Sequence, residues 1–175
     1  LDLSFQPCGA LAAWKLDRPV ASCYARGESM RSSNKRHPSD IWLEVGCDAA
    51  GRISGFVFDS VFNTGAYASW GPTVANRVPV HASGPYFTPD YRASSLAVHT
   101  NAPPAGAFRG FGVPQSAVAQ ECAYDLLAEK LGMDRLAFRQ MNALQNNMPT
   151  VTGQCFETGV GIADWLAALQ PAWDA

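Results

Sequence analysis

A glycine-rich turn that leads into a helix constrains this chain more than any other feature. Residues 106–115 read Gly-Ala-Phe-Arg-Gly-Phe-Gly-Val-Pro-Gln, and residues 106–112 are called the glycine loop below. Glycine has no Cβ, so the backbone can turn tightly and approach a ligand closely. The proline suits the first turn of a helix, which offers unpaired N–H groups and the positive end of a dipole. This combination is typical of a loop that binds an anion or the oxo group of a metal centre.

The helix after the loop has clear boundaries. Pro114 suits its start and Gly132 its C-terminal cap. Asp134 is then predicted to cap a second helix, with Met133 packed against Phe138. We expect the first helix to bury one apolar face, made of Val118, Cys122, Ala123, Leu126, Leu127 and Leu131, and to expose Glu121, Asp125 and Glu129.

The strands indicate an α+β fold with packed amphipathic helices. Residues 41–48 alternate between apolar and polar, and a turn at 48–52 leads to a second strand at 53–62, which predicts an antiparallel hairpin. Further strands are predicted at 20–24 and 93–100. Helices are predicted at 6–16, 27–33 and 161–169, and in part at 73–83, where Pro79 limits continuity. Hairpins and helices without βαβ alternation favour α+β over α/β.

Composition excludes several classes of protein. The 175 residues fit one domain, and 47% of them are hydrophobic, which is normal for a globular protein. A net charge of −2 gives no general attraction to nucleic acid or anionic lipid. No apolar run approaches the roughly 20 residues that span a bilayer.

Metal-ligand patterns are absent from the sequence. The five cysteines are scattered without C-x-x-C spacing, which argues against a zinc or iron–sulfur site and favours a reducing compartment. We therefore expect a cytoplasmic protein, with a periplasmic location as the alternative. His81 and His99 are interpreted as structural. The basic cluster Lys35-Arg36-His37 is interpreted as a solvated surface patch, with a ligand role as the alternative.

Taken together, these motifs resemble the molybdenum hydroxylases, the family of xanthine dehydrogenases and aldehyde oxidoreductases. The resemblance rests on Gly-Ala-Phe-Arg-Gly-Phe-Gly-x-Pro-Gln from residue 106 and on Leu-Gly-Met-Asp-x-x-x-Phe-Arg-x-x-Asn from residue 131. It extends upstream through residues 11–20, 26–30, 35–38, 65–69 and 100–101. Nearly the whole chain is covered in the family's order, which is far more specific than an isolated glycine pattern.

The resemblance implies a cofactor-binding part of a larger enzyme. We expect residues 1–175 to be a partial molybdopterin-binding domain, the middle segment of a catalytic subunit. The implied cofactor is molybdopterin with molybdenum, in its cytosine dinucleotide form. The implied reaction hydroxylates an aldehyde or N-heterocycle with oxygen from water and passes electrons to iron–sulfur centres. The 2Fe-2S and FAD groups are expected in other domains or subunits. The isolated chain is expected to be inactive and able to form homo-oligomers.

The resemblance also implies roles for individual residues. It places Gly106, Ala107, Phe108, Arg109, Gly110, Gly112 and Gln115 at the cofactor, with backbone N–H groups facing oxygen ligands. Phe111 would form a wall against a flat substrate. Arg77 matches a substrate-orienting arginine of purine-oxidising members, where it could stabilise negative charge on a ring. Ordinary packing of the two phenylalanines and an exposed helix position for Arg77 are the alternatives.

Two departures narrow the substrate. The glycine loop has no cysteine, whereas carbon-monoxide-oxidising relatives have one there, so carbon monoxide is disfavoured. Leu1 stands where several purine-acting members have an acidic contact, which disfavours a purine.

Two other functions are alternatives to the enzyme. One is a non-catalytic scaffold for cofactor storage or subunit interaction. The other, a dinucleotide-binding Rossmann domain, is disfavoured because the glycines lack the G-x-G-x-x-G spacing.

Overall fold

The computed structural model describes residues 5–175, so the substrate inference from Leu1 lies outside the described part of the chain. Along these residues the elements follow one another in a mixed order. They are α1 (Gln6–Leu16), α2 (Arg26–Ser32), β1 (Ser39–Cys47), β2 (Ile53–Gly65), α3 (Gly71–His81), β3 (Asp90–His99), α4 (Val113–Leu131), α5 (Arg135–Asn142) and α6 (Ile162–Trp173). The α+β class predicted from the sequence is confirmed.

The three strands form one mixed sheet in the order β1-β2-β3. β1 and β2 are antiparallel, with Trp42 opposite Asp59, which confirms the predicted hairpin. Its turn is held by Asp48, whose Oδ1 accepts the N–H groups of Ala50 and Arg52 at 2.9 and 2.8 Å. β3 pairs with β2 in parallel, with Ser95 beside Ser60.

The parallel pairing creates one βαβ crossover, which the sequence reasoning did not predict. It runs from β2 through α3 to β3. The prediction missed it because Gly71, Pro72 and Pro79 interrupt the helical pattern of α3. The helix nevertheless continues through Pro79 to His81. A short strand at residues 20–24 was also wrong, since that segment has no regular secondary structure.

One face of the sheet carries the core. Aromatic residues of β2 at every second position point to this face, and α3, α4 and α5 supply the side chains that cover it. The fully buried members of this cluster with the largest side chains are Phe56, Phe58, Phe62, Val74, Val78, Tyr124 and Phe138. The opposite face is open, and its Trp42 and Leu96 are 60% and 59% exposed.

The bounds predicted for α4 are correct, but its predicted apolar face is correct only in part. Leu127 and Leu131 pack against the core, and Glu129 is exposed as expected. The helix buries Ser116, Gln120, Tyr124 and Ala128, whereas Val118 and Leu126 are more than two-thirds exposed. Glu121 and Asp125, expected in solvent, instead form ion pairs of 2.7 Å with Arg139 of α5. Polar side chains can occupy the inner stripe because they hydrogen-bond there. One is Ser116, whose hydroxyl donates to the Val113 carbonyl.

The predicted start of α5 is confirmed. Asp134 precedes the helix, and its Oδ1 accepts the N–H of Ala137 at 2.8 Å. None of the helices between residues 5 and 175 is long and apolar enough to cross a membrane.

Candidate functional site

The backbone of the glycine loop requires glycine at two of its turns. Gly110 and Gly112 have φ values of +89° and +94°, a region that other L-residues adopt only with strain. A Cβ on Gly112 would lie 2.6 Å from Cγ2 of Val78. Gly112 therefore allows the loop to lie directly against α3 before α4 begins.

Some N–H groups of the loop are used to shape it. Phe111 donates to the Phe108 carbonyl at 2.8 Å, and Val113 donates to the Gly110 carbonyl at 3.0 Å. The N–H of Gly106 donates to the Lys35 carbonyl at 3.0 Å. These bonds fix the turn and tie its start to the segment before β1.

Four consecutive N–H groups remain available between these bonds. Within residues 5–175, the amides of Ala107, Phe108, Arg109 and Gly110 have no hydrogen-bond acceptor. The same segment, with Phe111, lines a cavity of about 370 Å³. A row of free donors beside a cavity is the arrangement that holds an anionic or oxo group.

The two aromatic rings of the loop differ in position. Phe108 is 47% exposed at the cavity. Phe111 is half-buried, packs against the core, and meets Trp70 edge-on with ring centres 6.0 Å apart. Phe111 is thus both a wall of the cavity and a contact to the core.

Gln115 and Arg36 join the start of α4 to the segment before β1. Nε2 of Gln115 donates to the His37 carbonyl at 3.0 Å, and its Oε1 accepts from Arg36 at 3.4 Å. A primary amide has two N–H groups and two lone pairs, so one of each remains for a ligand.

The basic cluster is not the solvated patch that the sequence suggested. His37 is only 3% exposed, and Lys35 and Arg36 are half-buried. Nζ of Lys35 donates to the Ser29 carbonyl at 2.8 Å. The interpretation failed because these side chains bond to backbone carbonyls, some of them far along the chain, which local charge patterns do not show.

His37 is a buried histidine in an apolar setting. Its ring meets Phe62 with centres 6.4 Å apart, and Nε2 has no partner among the described residues. Burial lowers the pKa of His37 below its ordinary value of 6.5, because a charged imidazolium would lose its hydration there. The ring is therefore held neutral near pH 7.

Arg77 lies on the exposed side of α3, the helix against which Gly112 packs. Together with the burial of His81, its charge lowers the pKa of that histidine. Within residues 5–175 it forms no hydrogen bond or ion pair, so its side chain is not committed elsewhere.

The described side chains do not form a metal site of their own. Between residues 5 and 175, no group of three or more His, Cys, Asp or Glu residues is placed to hold a metal ion. The free amides, the aromatic walls and the cavity fit an organic cofactor.

Comparison with known proteins gives the class of this domain and its family. The model of the molybdopterin cofactor-binding domain matches residues 2–143. The chain belongs to this family, in the segment found in catalytic subunits of molybdenum hydroxylases. The resemblance inferred from the motifs is therefore confirmed.

Individual relatives match along most of this chain. The nicotinate dehydrogenase large molybdopterin subunit of Eubacterium barkeri is 42% identical over 166 residues, which cover 95% of this chain and 39% of that protein. A probable xanthine dehydrogenase subunit from Bacillus subtilis is 43% identical over 141 residues, covering 81% of this chain and 19% of the relative. The chain thus spans well under half the length of these relatives.

A solved structure shows the same fold. The aldehyde oxidoreductase from Desulfovibrio gigas matches 99% of this chain and 19% of its own chain, with a TM-score of 0.86 and 31% identity.

Two residues at the loop were missed by the sequence reasoning. Arg36 was assigned to a solvated patch, and Trp70 was not considered. The K-R-H-P motif carried a signal for Arg36, because it was among the segments that resemble the family.

Proposed function

We propose that the glycine loop of this chain holds the molybdenum end of a molybdopterin cofactor in a hydroxylase. The observation that carries the proposal is the row of four free amides, residues 107–110, beside the cavity. Membership of the molybdopterin cofactor-binding domain family supports it.

Each of the predicted cofactor residues is assigned a part in binding. The free amides donate to oxygen ligands of the cofactor, and Arg109 adds a permanent positive charge. Gly106 and Gly112, which have no Cβ, let the backbone lie close to the cofactor. Gln115 can hydrogen-bond to the cofactor with the N–H group and the lone pair that remain on its side-chain amide. When bound, the molybdenum cofactor supplies the redox chemistry of hydroxylation with oxygen derived from water.

Two further residues are assigned to the substrate. Phe111 forms an aromatic wall against a flat molecule, and Trp70 packs edge-on against its ring. Arg77 stabilises negative charge that develops on the substrate during hydroxylation. Its exposed, uncommitted side chain on the helix beside the loop supports this assignment.

The substrate class is an aldehyde or an N-heterocycle. The relatives named as nicotinate dehydrogenase and aldehyde oxidoreductase support both classes. We propose further that the cofactor is the cytosine dinucleotide form and that electrons leave through 2Fe-2S and FAD groups in other domains or subunits. The chain, residues 1–175, would then act as one segment of a larger cytoplasmic catalytic subunit, with a periplasmic location as the alternative, and would be inactive alone.

The test is the molybdenum content of the full-length protein that carries this segment. Elemental analysis is expected to find molybdenum. Arg109→Ala is expected to lower the amount per chain by about tenfold, because the positive charge beside the cofactor is lost while the backbone amide is kept. Arg92→Ala is the matched control, because Arg92 is an exposed arginine paired with Asp59 on the open face of the sheet. A wild-type protein without molybdenum would defeat the proposal. Molybdenum without turnover of any aldehyde or N-heterocycle would favour the storage or scaffold alternative.

A further inference from the structure

Arg36 is distant from the glycine loop in sequence but contacts it directly. Its Nη2 donates to the Arg109 carbonyl at 2.7 Å, and its guanidinium carbon lies 4.5 Å from the centre of the Phe108 ring. We propose that Arg36 is a positioning residue that holds the free amides of the loop in the orientation in which they bind the cofactor.

The bond to the Arg109 carbonyl fixes the direction of the next amide. In a trans peptide the C=O of one residue and the N–H of the next point in opposite directions. Arg36 therefore turns the N–H of Gly110 away from itself. Gly110 has no Cβ to resist rotation of this peptide, so an external contact is needed to hold it.

The guanidinium also restrains a side chain of the cavity. Phe108 is nearly half exposed, so little else limits its ring. A guanidinium over the face of an aromatic ring is attracted by the electrons of that ring. The same group thus holds both a carbonyl and a wall of the cavity.

The neighbours of Arg36 hold the start of the loop and the first turn of α4, which follows it. The Lys35 carbonyl accepts the N–H of Gly106, and the His37 carbonyl accepts from Nε2 of Gln115. Residues 35–37 therefore form a clamp, with Arg36 at its centre. A lysine at this position cannot replace the arginine fully, because an ammonium group lacks the planar fork that bonds and stacks at once.

The contacts stand on the structure alone, whereas their purpose rests on the proposed function. The experiment must separate the two. Hydrogen exchange of the full-length protein reports whether the contacts of Arg36 hold the loop. The reporters are the amides of Gly106, Phe111 and Val113, which are hydrogen-bonded within the clamp and the turn. The molybdenum content per chain reports whether these contacts matter for cofactor binding.

The variants are Arg36→Gln, Arg36→Lys and the control Arg31→Gln, which alters an exposed arginine of α2. In both Arg36 variants we expect peptides over residues 106–113 to exchange roughly threefold faster or more, because a charge-assisted hydrogen bond is lost or weakened. Molybdenum per chain is expected to fall in parallel. The control and the peptides of β2 should match the wild type, which separates a local effect from general unfolding.

Unchanged exchange over residues 106–113 in the Arg36 variants would overturn the proposal, as would an increase spread equally through β2. Faster loop exchange with undiminished molybdenum would also overturn it, because the orientation would then be irrelevant to binding. If Arg36→Gln does not fold, Arg36→Lys keeps the charge and decides the question. Wild-type protein free of molybdenum would instead refute the proposed function, while the exchange data would still decide the contact.

Discussion

Gly112 is the residue at which the glycine loop meets α3. Its φ of +94° and the 2.6 Å approach of a Cβ to Val78 predict that Gly112→Ala destabilises the fold by about 2–4 kcal/mol, through backbone strain and overpacking. Gly132→Ala is the matched control, because its φ is +65° but a Cβ there meets nothing within 4 Å. The control should lose only about 1–2 kcal/mol. Urea unfolding measures both, and equal losses would show that the contact with α3 is unimportant.

His37 gives the stability of the protein a dependence on pH. Its pKa is lowered in the folded state by burial, whereas the unfolded chain titrates near 6.5. Below that pH the imidazole binds a proton more readily in the unfolded state than in the folded state, so the free energy of unfolding falls as pH decreases. Above it the histidine is neutral in both states and contributes no pH dependence.

The His37→Gln variant isolates this contribution. Urea unfolding from about pH 8 to about pH 5 should show a smaller decline in the variant than in the wild type. His81, whose pKa is also lowered by burial and then by Arg77, adds a decline of the same sign. His81→Gln therefore serves as the comparison, because it removes the decline in stability that is due to His81 and leaves the one due to His37. Identical pH profiles for His37→Gln and the wild type would contradict the prediction.

Among individual residues, the glycines were predictable from sequence and the arginine was not. Glycines at 110 and 112 predict a tight turn, because a turn with positive φ requires glycine at the turning residue itself. The role of Arg36 depends on contacts 73 and 79 residues along the chain, to Arg109 and Gln115. Local charge does not encode such a pairing and suggested a solvent-exposed patch. The signal for Arg36 lay in the resemblance of residues 35–38 to the family.

At the scale of elements, helix ends were easier to predict than helix faces. Asp134 and Gly132 act on adjacent backbone groups, so the cap residues marked the ends of α4 and α5. The face of α4 depends on what packs against it. Gln120 and Ser116 are buried, while Val118 and Leu126 face outward. The apolar pattern was therefore right at Leu127 and Leu131, which pack against the core, but wrong about the centre of the buried stripe.

Asn142 joins α5 to the β1–β2 turn and is a sharp test of that packing. Its Nδ2 donates to the carbonyls of Gly51 and Phe138, and its Oδ1 accepts the N–H of Ile53, all at 2.9 Å. Asn142→Ala should cost about 2–3 kcal/mol, because the buried N–H of Ile53 loses its acceptor. Asn142→Asp keeps that acceptor but loses the donor and buries a carboxylate, so it should also destabilise the protein.

The control for this test is Asn76→Ala on the exposed side of α3. A surface change of this kind should shift stability by no more than about 0.5 kcal/mol. Thermal or urea unfolding compares the three variants. If Asn142→Ala were as mild as the control, the junction between α5 and the sheet would not depend on this side chain.

At the scale of the whole molecule, the parallel pairing of β3 with β2 was beyond local sequence patterns. The sequence predicted a strand at residues 93–100 but not its neighbour, because direction and register are set by the crossover through α3. The antiparallel hairpin was predictable, since two strands joined by a short turn pair with each other in antiparallel direction.

The open face of the sheet predicts self-association of the 175-residue chain. Trp42 and Leu96 are both more than half exposed there, and Asp59 and Arg92 lie on the same face. In a two-fold dimer this face would meet its own copy, which buries the apolar side chains and lets the charges pair across the interface.

Light scattering should therefore show a mass that rises with concentration. The double variant Trp42→Gln, Leu96→Gln should weaken association by roughly tenfold or more, because both apolar contacts are lost. Leu126→Gln, which removes an equally exposed leucine from α4, should leave the association unchanged. If the wild type stays monomeric at every concentration, the open face does not recognise itself. If the α4 variant weakens association as much as the double variant, the contact lies on the helices instead.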